Sequence, residues 1–116
     1  MIMRFVVASA LFAGLASAAS AHAFLERASP SAGENLRASP ARIELHFSEG
    51  LEASFSAVRV TDKNGRDMAA GPSLANGTEM DLPLKTLLPG RYRVSWHAVS
   101  VDTHRTEGKY NFMVLP

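Results

Sequence analysis

Tyr92-Arg93-Val94-Ser95-Trp96-His97-Ala98 alternates strictly between apolar and polar side chains. Successive side chains of an extended chain point to opposite faces, so the pattern predicts a strand with one buried face. The same two-residue period recurs elsewhere. Ile43, Leu45 and Phe47 alternate with Glu44, His46 and Ser48; Val58 and Val60 share a face; Tyr110, Phe112 and Val114 alternate with Asn111 and Met113. Turn-forming pairs separate these runs, among them Ser29-Pro30, Ser39-Pro40, Asn64-Gly65, Gly71-Pro72, Asn76-Gly77 and Pro89-Gly90. Many short strands with frequent turns predict an all-β sandwich or barrel. Trp96, Phe47, Phe112 and Tyr92 are its expected core. Burying each such side chain contributes about 1.5–3 kcal/mol before entropy is counted. Helical periodicity is absent from every long segment; Leu82 to Leu88 reads as a candidate single turn of helix.

The chain has 116 residues, 47% of them hydrophobic, which suits one domain. Its formal net charge is +1, and no basic patch stands out, so no nucleic-acid partner is expected. There is no cysteine. Disulfides, thiolate metal sites and thiol catalysis are therefore excluded, and a metal would have to be held by His, Asp, Glu, Met or backbone groups.

Residues 1–21 read as a secretory signal peptide. Arg4 supplies a short positive start, residues 5–19 are apolar or small, and Ala19-Ser20-Ala21 is a small-x-small cleavage signal. The apolar run is shorter than the roughly 20 residues that span a bilayer. The expected product is an exported, soluble domain of residues 22–116. It starts at His22 and carries eleven basic and eleven acidic side chains once Arg4 is removed. Two other cuts fit the same rule, after Ala18 or after Ala23, and neither leaves a histidine first.

Four histidines are present: His22, His46, His97 and His104. Asp102-Thr103-His104 follows the Tyr92–Ala98 run. Residues i and i+2 of an extended chain project to one side, so Asp102 and His104 can offer a carboxylate and an imidazole to one ion. Such a triplet is also common in solvated surface turns. His22, as a first residue, would add two nitrogens, its α-amine and its imidazole, which close a chelate ring. Three nitrogens and one oxygen in a tetragonal set suit Cu(II), which also heads the divalent affinity order. The competing view of His22 is a frayed terminus. His46 alternates outward beside Glu44, and His97 lies on the face opposite Trp96, near the Asp102–His104 loop. Glu49 is either a solvated acid or an acceptor for a ligand imidazole. Met80 is isolated, which argues against a thioether Cu(I) site, and Met113 reads as packing. No nucleophile elbow, phosphate loop or paired-carboxylate motif is present, so no enzyme is expected.

Taken together, several blocks resemble the CopC family of periplasmic copper-resistance and copper-homeostasis proteins. They are His22-Ala23-Phe24-Leu25 with Ser29-Pro30, Leu45-His46-Phe47-Ser48-Glu49, Pro89-Gly90-Arg91-Tyr92-Arg93-Val94, and Trp96 through His104, closed by Gly108 and Phe112. The resemblance implies a Greek-key, immunoglobulin-like sandwich of about seven strands. It further implies one Cu(II) ion held by His22, Asp102 and His104, with Glu49 nearby. Members with a second, Cu(I) site carry a methionine-rich segment, whereas residues 71–84 here hold only Met80. The resemblance also implies a monomer that operates beside an inner-membrane copper permease.

Two other functions compete. A copper oxidase of the histidine-brace type also uses an N-terminal histidine, but Asp102 would occupy a coordination position that oxygen needs. A metal-free interaction module of the sandwich type would need none of these ligands.

Overall fold

Each alternating run forms a strand and buries the expected face. The computed structural model describes residues 22–116, and the expected signal peptide lies outside the described residues. The strands are β1 (Leu25–Ser29), β2 (Asn35–Leu36), β3 (Arg42–Phe47), β4 (Ala57–Thr61), β5 (Leu74–Asn76), β6 (Glu79–Pro83), β7 (Gly90–Val99) and β8 (Arg105–Val114). They make two four-stranded sheets, ordered β1-β3-β6-β5 and β2-β8-β7-β4. Only the β5–β6 and β7–β8 connections stay within a sheet; every other one crosses between layers. The resemblance implied about seven strands and the described residues form eight. The extra one is β2, two residues long and parallel to β8, too short to show a period in sequence.

The core lies between the layers. Ile43, Leu45 and Phe47 of β3 meet Val58 and Val60 of β4, Tyr92, Val94 and Ala98 of β7, and Phe112 and Val114 of β8, all buried. Tyr92 and Phe112 stack at 5.6 Å. Met80 is fully buried in β6 opposite Leu45, so its thioether is packing. Met113 is half-buried and faces away from the core, in register with Asn35.

Two expectations are corrected. Residues 82–88 form no helix. Leu82 pairs with Ile43 inside β6, and the amides of Leu84 and Lys85 donate to Ala41 and Met68 carbonyls. Sheet partners therefore take the groups a helical turn would need. Among the described residues, the one helical turn is a 3-10 turn at Ala53–Phe55, whose residues are all exposed and carry no apolar period. Trp96 is half-buried rather than central. Its ring meets Phe47 edge to face at 5.0 Å and covers Gly108, its partner across the β7–β8 ladder. A Cβ at Gly108 would lie 2.6 Å from that ring. Glycine is needed here for space, not for backbone freedom.

The β7–β8 hairpin closes with Ser100 N–H donating to the His104 carbonyl at 2.9 Å and Thr103 N–H donating to the Ser100 carbonyl at 2.8 Å. This is a three-residue loop whose last residue takes the left-handed conformation that usually falls to glycine. Thr103 has φ 74° there. A β-branched residue in that region costs on the order of 1–2 kcal/mol.

Two stability measurements check these placements. Gly108→Ala should lower the unfolding free energy by about 1–3 kcal/mol, because the new methyl must displace the indole. Chemical denaturation followed at the tryptophan reads this, and an unchanged midpoint would contradict it. Thr103→Gly should raise the unfolding free energy by about 1 kcal/mol, the relieved strain exceeding the entropy of an added glycine. A lower midpoint in the same assay would show that Thr103 is not strained.

Candidate metal centre

Ala23 is fully buried, although only one residue separates it from the undescribed segment. Its carbonyl accepts a 2.7 Å hydrogen bond from the Thr106 hydroxyl of β8. Ser48, just past β3, fixes the residues on either side. Its hydroxyl accepts from Phe24 N–H at 2.8 Å and donates to the His22 carbonyl at 3.3 Å. Its own N–H donates to the Phe24 carbonyl at 2.8 Å. Residues 22–24 are thus tied to both sheets.

These bonds bring His22 beside the tip of the β7–β8 hairpin. The imidazoles of His22 and His104 lie 4.6 Å apart, edge to face at 67°. Phe24 packs on the other side of His22 at 5.9 Å. Asp102 Oδ1 lies 3.4 Å from His104 Nδ1 and accepts a short hydrogen bond from the Ser100 hydroxyl. Ser100 is buried; His104 and Asp102 remain about half exposed. The Ser100 hydroxyl, with a smaller contribution from His104, holds the Asp102 carboxyl below its ordinary range, against a partial desolvation that raises it. Asp102 is therefore ionised at neutral pH, with one oxygen committed locally.

The structure thus gathers His22, Asp102 and His104 at one end of the sandwich. Glu49 is half-buried next to Ser48, and its carboxylate makes no hydrogen bond or ion pair with the described residues. His46 lies on the outer face of the β3–β6 sheet, 3.3 Å from Glu79. His97 is across from Glu107 and Ala57 on the outer face of the other sheet, opposite to the face that carries Thr106. Both are away from the hairpin tip.

The donor atoms of His22, Asp102 and His104 do not, however, all lie within 4.8 Å of one another. Among the described residues, Glu44, Glu79 and Asp81 form the group of three that does, with one donor atom from each. Two of these acids already have basic partners, Arg42 at 2.6 Å from Glu44 and His46 at 3.3 Å from Glu79. At the hairpin tip, the rings of His22 and His104 pack edge to face. Rotation about the side-chain torsions is the remaining movement, because the backbone is already in place. The residues that sequence reading missed are Ser48, Ser100 and Thr106, which position the others. Hydroxyl residues are frequent, and nothing local marks these as anchors.

Comparison with known proteins agrees with the architecture. A family model described as the CopC domain matches residues 25–115. Protein YobA of Escherichia coli K12 is 40% identical over 98 residues, covering 81% of this chain and 79% of that protein. Copper resistance protein C of Pseudomonas syringae pv. tomato is 38% identical over 105 residues, covering 83% and 82%. The crystal structure of CopC from Methylosinus trichosporium OB3b superposes with a TM-score of 0.75 at 35% identity, covering 82% of this chain and 95% of that one. With the family model spanning nearly all the described residues and the same sandwich found in a solved relative, this chain belongs to the CopC family.

Proposed function

We propose that this chain is an exported periplasmic protein that binds one Cu(II) ion at its mature N-terminus and buffers or carries it. The observation that carries this reading is the pinning of residues 22–24, which holds His22 within 4.6 Å of His104 at a loop that also presents Asp102. Relatives named for copper resistance support the choice of metal.

Cleavage after Ala21 would turn the His22 backbone nitrogen from an amide into an amine. A free α-amine has a pKa near 7.7–8.0, so a metal readily displaces its proton at neutral pH. The amine and imidazole of His22, the imidazole of His104 and the carboxylate of Asp102 then supply three nitrogens and one oxygen. That donor set fits tetragonal Cu(II). With Nδ1 of His104 directed at Asp102, Nε2 is its available donor. Glu49 adds negative charge near the cluster without serving as a ligand. Four protein donors leave little room for a substrate, which suits a carrier rather than a catalyst. The bound ion would pass to a membrane copper transporter, and the protein would act as a monomer.

Protein beginning at His22 should bind one Cu(II), measured by titration against a competing chelator. One extra residue before His22 should weaken binding by at least about 100-fold, because the chelate ring is lost. Equal affinity of the two forms would reject the proposed site. Ser48→Ala and Thr106→Val should each weaken binding by roughly tenfold or less, and the Cu(II) absorption spectrum should be unchanged, since they position ligands without supplying them. A shifted spectrum would make either residue a ligand.

A further inference from the structure

We infer that the outer face of the β4–β7–β8 sheet is a docking surface for a lipid bilayer bearing anionic phosphate headgroups. From His22 onward the chain has eleven basic and eleven acidic side chains, so its total charge suggests no partner. Strand alternation nevertheless sorts these charges. Arg59 on β4, Arg91 and Arg93 on β7, and Arg105 and Lys109 on β8 all alternate with inward-facing residues, and all five are exposed. Arg59, Ser95 and Lys109 form one row across the three strands; Thr61, Arg93 and Asn111 form the next. Glu107 is the one acid among the outward positions of these strands, and Arg105 meets it at 3.6 Å. At the far end of the hairpin, Lys63 adds a further cation beside Arg91 and Arg93. Asp62 is also there, but its carboxylate is committed to the Asn64 and Arg66 amides at 2.8 and 2.9 Å.

The character of the face selects the partner. Of the exposed large apolar residues, Phe24, Phe55, Leu74 and Val101 occupy none of its outward strand positions, and Leu88 stands alone at its edge beside Lys63 and Arg91. A protein partner is normally held by a desolvated aromatic or aliphatic centre, and this face offers none. A layer of phosphate headgroups needs only spaced cations. Strands about 4.8 Å apart space these cations across the surface of the sheet. A shallow depression of about 370 Å³ is bordered by Arg59, Ser95, His97 and Arg105, with Glu107 also in its lining and paired with Arg105, so Arg59 is the cation it offers a headgroup. The acidic cluster of a second copy is a poorer match, because Arg42 and His46 already partner Glu44 and Glu79. A flat sheet without exposed aromatics lacks the stacking platforms of single-stranded nucleic-acid binders. Docking by this face would lay the β7–β8 hairpin along the membrane plane, with its Asp102–His104 tip at the edge of the contact. The proposal does not depend on copper.

Vesicle co-sedimentation of metal-free protein beginning at His22, which carries the whole described fold, tests this. It should bind vesicles containing about one-third phosphatidylglycerol at low salt, fail to bind pure phosphatidylcholine, and be released at about 0.5 M salt. Arg59→Glu/Arg93→Glu should reduce binding by at least about tenfold, and Arg59→Gln/Arg93→Gln by less, with circular dichroism confirming the fold. Arg42→Glu, on the opposite sheet, should change nothing. Equal binding to neutral vesicles, no binding to anionic ones, or indifference to both Arg59/Arg93 pairs overturns the proposal. Tighter binding to an oligonucleotide, or self-association that the charge reversal abolishes, overturns it as well.

Discussion

Ala23 is fully buried, and the hydroxyls of Thr106 and Ser48 hold the backbone on both sides of it. These bonds join the start of the described chain to β8 in one sheet and to the end of β3 in the other. An open terminal segment would sample many conformations, and ordering it costs roughly 1–2 kcal/mol per residue in backbone entropy. Here the burial of Ala23 and the bonds from Thr106 and Ser48 supply that ordering. The geometry of His22 therefore depends on the sandwich as a whole, and the sandwich depends on the alternation that buries Leu45, Phe47 and Ala98 behind it.

The β7–β8 hairpin serves three purposes on separate parts of its surface. Its inward positions, Tyr92, Val94, Ala98, Phe112 and Val114, build the core. Its tip presents Asp102 and His104 around the strained Thr103. Its outward positions carry four of the five cations of the basic face. Period-two alternation makes this division possible, because a charge on one face leaves the opposite face unaffected. Strain at Thr103 is consistent with a loop shaped for its side chains rather than for its own stability.

The two-layer fold was legible because it follows from local periodicity. Ile43, Leu45 and Phe47 announce their buried face without reference to any other segment. What escaped notice depends on contacts between distant segments. The short β2 exists only because β8 lies beside it, and residues 82–88 resist helix formation because Ala41 and Met68 take their amides. His22, Asp102 and His104 could be named from sequence. Ser48 and Thr106 could not, since their roles appear only when residues 26 and 83 positions apart meet at Ala23 and its neighbours. The basic face was missed for a similar reason. Arg59, Arg93 and Lys109 never form a run; registry across three strands brings them together.

The central claim concerns how many nitrogens grip the ion, and electron paramagnetic resonance counts them. Cu(II)-loaded protein beginning at His22 should show nitrogen hyperfine structure from three donors, with one lost in His104→Ala and one lost when the α-amine is acetylated. A spectrum that neither change alters would place copper elsewhere on the molecule.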